Sequence, residues 1–149
     1  MFTRSRFIRF ATVAAAISLS ACSNMLPMGG GGSATFGAAL TGAAEVPPNS
    51  SAASGTLEAT LAKDTNILKW KIVYSGLSGP ATMAHFHGPA MAGSNAGVVV
   101  PFASAASPIE GQATLTPAQV ADLMAGKWYA NVHTAANPGG EIRGQVTAK

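Results

Sequence analysis

The chain has very few of the residues that usually carry chemistry. Among its 149 residues there is one cysteine, Cys22, and there are three histidines. One thiol cannot form an internal disulfide, and it cannot supply the set of thiolates that holds an iron–sulfur cluster. The fold must therefore be stabilised by packing, and any metal site must use ligands other than sulfur from cysteine.

Charged residues are also scarce, at 10% of the sequence. Three of the nine basic residues, Arg4, Arg6 and Arg9, lie at the N-terminus, and the remaining six match the six acidic residues in number. The rest of the chain therefore has no basic stripe of the kind that a phosphate backbone requires. This balance argues against a nucleic-acid partner.

The sequence lacks the usual catalytic signatures. Serines are numerous, but no Gly-x-Ser-x-Gly elbow occurs, and no aspartate is placed beside a histidine for a nucleophilic triad. No glycine-rich loop opens a helix after a strand, and the carboxylates are too scattered to pair as in glycoside hydrolases. We therefore lean against an enzyme.

The N-terminus predicts export. The three arginines precede an apolar stretch, residues 10–19, that is too short to span a bilayer. The stretch ends in Leu19-Ser20-Ala21-Cys22, which resembles a bacterial lipobox, although an ordinary signal peptide or a short core helix is the alternative. We expect a lipoprotein signal peptide at residues 1–21, an acylated (palmitate-type) Cys22, a Gly-rich tether at 22–34 and one domain at 35–149. This organisation predicts a lipid-anchored protein of the bacterial cell envelope, at the outer membrane if the organism is Gram-negative.

From residue 35 onward the dominant pattern is an alternation of apolar and polar residues, which indicates half-buried strands. One segment differs, because Thr116-Pro117 opens a short helix over about residues 117–125 that ends at Gly126. The pattern predicts an all-β fold, an antiparallel Greek-key-like β-sandwich or barrel of about eight strands. The expected strands are residues 36–43, 56–61, 68–74, 82–87, 98–102, 109–115, 128–134 and 142–147.

All three histidines lie on predicted strands. His85 and His87 alternate and so share one face, and His133 lies on the polar face of a later strand. Imidazole ligands suit copper and zinc, whereas the scarcity of carboxylates disfavours calcium and magnesium. We predict a transition-metal site, copper before zinc, formed by His85, His87 and His133. The alternative is that these histidines are hydrogen-bonded parts of the scaffold.

Five segments carry motifs in a fixed order along the chain: Thr41–Pro48, Ala84–Ala90, Val98–Val100, Tyr129–Thr134 and Pro138–Gln145. They resemble the successive signatures of the CHRD domain, a family named for repeats in the extracellular antagonist chordin. The resemblance covers nearly all of residues 36–147 and implies an all-β extracellular module. It does not imply binding of a morphogen, because the chain has one copy and no cysteine-rich modules.

Glu141 and Arg143 belong to the last of these segments and alternate onto one face of the final predicted strand. They either pair with each other or orient an imidazole of the metal site from behind. The His-x-His strand with a distant third histidine also resembles the copper site of copper–zinc superoxide dismutase. That enzyme uses more histidines than this chain possesses, which argues against dismutation.

Two functions of different classes follow from the sequence. The first is metal binding, storage or delivery at the cell envelope, with copper or zinc as the bound ion. The second is a non-catalytic interaction or adhesion module that recognises an envelope protein or a glycan, with structural histidines. Three imidazoles that face one another within ligand distance would favour the first.

Overall fold

The computed structural model describes residues 31–149. The predicted signal peptide, the lipidated Cys22 and most of the predicted tether lie outside the described residues. Within the described residues there are eight strands, one α-helix and a single 3-10 turn (Gly42–Ala44), which confirms the all-β class and the short helix. They are β1 (Ser33–Thr41), β2 (Ser54–Ala62), β3 (Ile67–Ser75), β4 (Ala81–His87), β5 (Val98–Pro101), β6 (Ile109–Thr114), α1 (Pro117–Met124), β7 (Trp128–Thr134) and β8 (Ile142–Ala148).

The first strand starts slightly earlier than the predicted domain boundary at residue 35. Ser33 and Ala34 pair with Ala62 and Leu61 of β2, so the last two residues of the predicted tether belong to the sheet. Backbone pairing needs no apolar side chain, and a polar or small residue at a strand end therefore leaves no signal in the hydrophobic pattern.

The strands form a single antiparallel sheet in the order β5-β4-β7-β8-β1-β2-β3-β6. The sheet curls into a nearly closed barrel. Trp70 on β3 packs edge-to-face against Phe86 on β4, with ring centroids 5.2 Å apart, although these strands lie near opposite ends of the strand order. The curvature thus brings the two halves of the sheet together around one apolar core.

Side-chain alternation places residues inside or outside the barrel. On β3, Leu68, Trp70 and Ile72 are buried, whereas Lys69 and Lys71 are exposed. On β7, in contrast, all seven residues are buried. Other parts of the chain therefore pack on the outer face of β7, and the candidate functional site lies beneath them.

The helix begins with a reciprocal capping box. The backbone N–H of Gln119 donates to Thr116 Oγ1 at 3.2 Å, and the backbone N–H of Thr116 donates to Gln119 Oε1 at 2.9 Å. Pro117 occupies the first turn, where its missing N–H leaves no bond unmade. Leu123 is buried and Val120 is partly buried against the core, so α1 packs on the barrel through these apolar side chains. No helix in residues 31–149 has the length and apolar character needed to cross a bilayer.

Candidate metal site

The site lies on the outer face of β4 and β7, which are neighbours in the sheet. On β4, Ala84 and Phe86 face the core, so His85 and His87 face outward. The antiparallel register places His133 opposite Met83, and Asn131 opposite His85. Side chains opposite each other on one face lie about 5 Å apart at Cβ. The alternation of side chains on each strand and the register between β4 and β7 therefore bring the three histidines together on one face.

The three imidazoles lie against one another as the sequence predicts. Ring centroids are separated by 5.1 Å between His85 and His133, 5.4 Å between His85 and His87, and 6.3 Å between His87 and His133. One ring nitrogen from each histidine lies within 4.8 Å of the other two. Ligand atoms on one tetrahedral ion lie about 3.3 Å apart. The rings therefore need to rotate toward a shared ion to hold it.

Two loops, residues 88–97 and 135–141, cover the outer face and bury most of the site. His87 is 9% exposed and His133 is 6% exposed, whereas His85 is only partly buried and lies nearest to solvent. Nδ1 of His87 is 3.0 Å from the carbonyl oxygen of Ala96, and Nδ1 of His133 is 2.9 Å from that of Pro138. Each covering loop thus holds one ring by a backbone carbonyl.

These carbonyl contacts fix which ring nitrogens carry protons. A carbonyl oxygen can only accept, so Nδ1 must be the N–H group in both His87 and His133. In the neutral rings Nε2 is then a lone pair, the form in which histidine binds metals. Metal-binding histidines usually donate their other ring N–H in this way, which fixes the ring orientation.

The third ring offers a nitrogen with no competing contact. Nδ1 of His85 is buried and has no hydrogen-bond partner within residues 31–149. A buried acceptor without a partner is costly unless a ligand, an ion or water satisfies it. Two Nε2 lone pairs and this unpartnered ring nitrogen therefore belong to one cluster of histidines.

Burial favours the neutral form of two of the rings. Burial lowers the pKa of His85, and the neighbouring His133 and His87 lower it further. Burial also lowers the pKa of His87, and this effect outweighs the hydrogen bond to the Ala96 carbonyl that would raise it. Both rings are therefore available as neutral ligands at neutral pH.

Asn131 occupies the centre of the histidine cluster and was not singled out by the sequence. Its Oδ1 lies 3.0 Å from Nε2 of His87 and 2.9 Å from Nε2 of His133, and the residue is 3% exposed. The alternation on β7 does put Asn131 on the same face as His133. Its position beside the histidines of β4 depends on the pairing of β7 with β4, which the alternation alone does not specify.

Arg143 supports the site through an aromatic ring and a loop. Tyr129 stacks parallel to His87 with ring centroids 4.7 Å apart, and Arg143 Cζ lies 3.4 Å from the centre of the Tyr129 ring. The guanidinium also donates to Asn95 Oδ1 at 2.9 Å and to the Ser94 carbonyl at 2.7 Å. Arg143 thus orders the loop that supplies the Ala96 carbonyl, without a direct contact to an imidazole.

Glu141 lies in a separate polar cluster at the end of β7. It is fully buried and accepts hydrogen bonds of 2.6–2.8 Å from Ser51, Ser78 and Thr134. In the described part of the chain none of its hydrogen-bond partners is an imidazole, and it does not pair with Arg143. Burial alone would raise its pKa, but the donated hydrogen bonds outweigh burial and lower the pKa to about 2.

Glu45 is the second buried carboxyl of the molecule. It is 5% exposed, and burial raises its pKa to about 7 against the opposing attraction of Arg143. Its Oε1 has no hydrogen-bond partner within the described residues. It lies beside Gly140, close to the Asn131 amide.

A comparison with family models decides the classification. The model of the CHRD domain matches residues 36–146, which include the barrel and all three histidines. The chain belongs to the CHRD family. No curated protein and no solved structure matches the chain. The family and the fold of this CHRD domain are therefore established, and its three clustered histidines could hold a metal ion.

Proposed function

We propose that this CHRD domain binds a transition metal, copper before zinc, through His85, His87 and His133. The protein would serve in metal binding, storage or delivery at the cell envelope. The observation that carries the proposal is the pair of Nδ1–H groups committed to the Ala96 and Pro138 carbonyls. They leave two Nε2 lone pairs beside the unpaired Nδ1 of His85.

The donor set supports copper or zinc over other ions. Imidazole nitrogen is a good ligand for both metals, and a given nitrogen site usually binds Cu²⁺ more tightly than Zn²⁺. Calcium and magnesium prefer oxygen-rich sites. The partly buried His85 leaves one side of the site near solvent, through which an ion could enter and leave.

The envelope location is supported by the sequence of residues 1–22. An export signal ending at a lipobox-like cysteine would attach the domain to a membrane by a lipid. The alternative function, an interaction module with structural histidines, would require the imidazoles to be satisfied by the scaffold alone. The unpaired His85 nitrogen does not favour that alternative.

The proposal is tested by metal content after purification of the full-length protein. The wild-type protein, incubated with one equivalent of Cu(II) or Zn(II) and desalted, is expected to retain about one ion per chain. His85→Ala, His87→Ala and His133→Ala are each expected to lower the retained metal strongly, because each removes one of three ligands.

Glu110→Gln is the matched control, because Glu110 is an exposed carboxylate on β6 that could hold metal only adventitiously. It should leave the stoichiometry unchanged. Wild-type protein that retains no metal, or histidine variants that retain as much as the wild type, would remove the proposed function.

A further inference from the structure

We propose that Asn131 is a fourth ligand of the same ion, through Oδ1, and that Glu45 holds the Asn131 amide in the orientation that makes this possible. The inference rests on the proposed metal function and specifies it. A set of three nitrogens and one oxygen suits Cu(II) or Zn(II) better than Cu(I), which prefers softer ligands.

The first argument is the position of Oδ1. It lies 2.9 and 3.0 Å from the Nε2 atoms of His133 and His87. These separations resemble the spacing of about 3.3 Å expected for atoms that share one tetrahedral ion. The oxygen therefore already occupies the place of a neighbouring ligand.

The second argument concerns protons. Both Nδ1 atoms must donate to backbone carbonyls, so neither neutral ring has a proton left on Nε2. Oδ1 also has no proton. Three acceptor atoms thus converge without a donor between them, and a cation satisfies all three at once.

The third argument explains why the amide does not turn its nitrogen toward the rings. A methyl group placed at Gly140 would overlap Glu45 Oε1 and would lie 2.9 Å from Asn131 Nδ2. The carboxyl oxygen and the amide nitrogen therefore both lie beside the same glycine, without a hydrogen bond between them in the described structure. Glu45 Oε1 is a buried acceptor with no hydrogen-bond partner, and Nδ2 is the donor nearest to this space, so a small movement of the two side chains would pair them.

Gly140 makes this approach possible in two ways. Its φ of +130° is a conformation that residues with a side chain rarely adopt, and it has no Cβ to separate Glu45 from Asn131. The next residue toward the N-terminus, Gly139, has nothing within 4 Å of the corresponding position. The two adjacent glycines therefore differ in the space available to a side chain.

The ligand role is tested by competition titrations of the full-length protein with Cu(II) and Zn(II), together with electron paramagnetic resonance of the Cu(II) form. Asn131→Leu removes the oxygen and is expected to lower the affinity for both ions at least ten-fold and to change the Cu(II) spectrum. Asn131→Asp keeps an oxygen that can bind the ion and is expected to retain wild-type affinity or exceed it.

The positioning role is tested at Glu45. Glu45→Leu is expected to weaken binding about ten-fold, the effect typical of a group that orients a ligand. Glu45→Gln still offers an acceptor to Asn131 Nδ2 and is expected to restore binding and the wild-type Cu(II) spectrum. Gly140→Ala should resemble Glu45→Leu, whereas Gly139→Ala should resemble the wild type.

The outcomes separate this inference from the proposed function. Wild-type affinity and an unchanged Cu(II) spectrum in Asn131→Leu would overturn the ligand role while leaving the three-histidine site intact. Equal binding by Glu45→Leu and the wild type would overturn the positioning role. Circular dichroism must show a folded variant in each case. If Asn131→Leu does not fold, loss of affinity in folded Asn131→Asp would overturn the inference, and retained affinity with a changed spectrum would support it.

Discussion

At the scale of single residues, the two buried carboxyl groups behave in opposite ways. Glu141 receives hydrogen bonds from three side chains and one backbone N–H, so its charged form is stabilised in the folded protein. Glu45 has a buried oxygen without such donors, and its pKa is raised to about 7. Burial is common to both, so the donors decide which carboxyl stays charged.

We predict that Glu141→Gln lowers the free energy of unfolding by about 2–3 kcal/mol at pH 7, because the amide turns acceptor positions into donors that face hydroxyl groups. The measurement is urea denaturation of the purified protein. Glu58→Gln, on the exposed face of β2, is the control and should change stability by less than about 0.5 kcal/mol.

The same carboxylate predicts a pH dependence with a definite sign. The pKa of Glu141 is about 2 in the folded protein, below its ordinary value of 4.5. Its contribution to stability is therefore complete above about pH 4.5 and is lost as the pH falls toward 2. Urea midpoints measured between pH 6 and 2.5 should fall more steeply for the wild type than for Glu141→Gln. Parallel curves would contradict this assignment.

At the scale of elements, β4 and β7 contribute one face to the core and the other face to the proposed metal site. Phe86 points inward between the two outward histidines of β4 and packs against Trp70 and Phe102. The core residues thus fix the strand whose other face presents His85 and His87.

We predict that Phe86→Ala lowers the free energy of unfolding by about 3–5 kcal/mol, because it removes a fully buried aromatic ring and leaves a cavity. Chemical denaturation gives the value, and Val73→Ala, an exposed position on β3, is the comparison. A loss below about 1 kcal/mol would mean that the core around β4 is not packed as described.

The elements were largely predictable because alternation is a local property. Each of the eight expected strands and the helix forms close to its predicted position. The difference at Ser33 and Ala34 arises because backbone pairing continues where the side-chain pattern has stopped. The burial of β7 on both faces was not predictable, since it depends on loops that arrive from elsewhere in the chain.

At the scale of the whole molecule, the proposed lipid anchor and the proposed metal site use different residues. The proposed site uses residues of the barrel and its loops, and the proposed anchor would use Cys22. We predict that Cys22→Ser abolishes incorporation of radiolabelled palmitate in cells, because it removes the thiol that would be acylated.

The purified Cys22→Ser protein is expected to bind Cu(II) as the wild type does. Palmitate labelling and metal titration give the two results independently. Continued palmitate labelling of the variant would remove the lipoprotein proposal, and a large loss of metal affinity would mean that the anchor region takes part in the site.

The sequence by itself determined the strands, the helix and the three histidines as candidate ligands, because periods of two and 3.6 residues and the rarity of histidine can be read locally. It also placed Asn131 on the face of His133. The two alternatives for Glu141, pairing with Arg143 or orienting an imidazole, came from the same alternation, but Glu141 hydrogen-bonds to Ser51, Ser78 and Thr134 instead.

Only the tertiary structure decided which strands became neighbours. The pairing of β4 with β7 brings His85 opposite Asn131, and the packing of the loops brings Glu45 over Gly140. Such contacts join residues that are distant in sequence, and strand order and loop packing depend on the energy of the entire folded chain. The local pattern therefore specifies which residues face outward, and the fold specifies which of them meet.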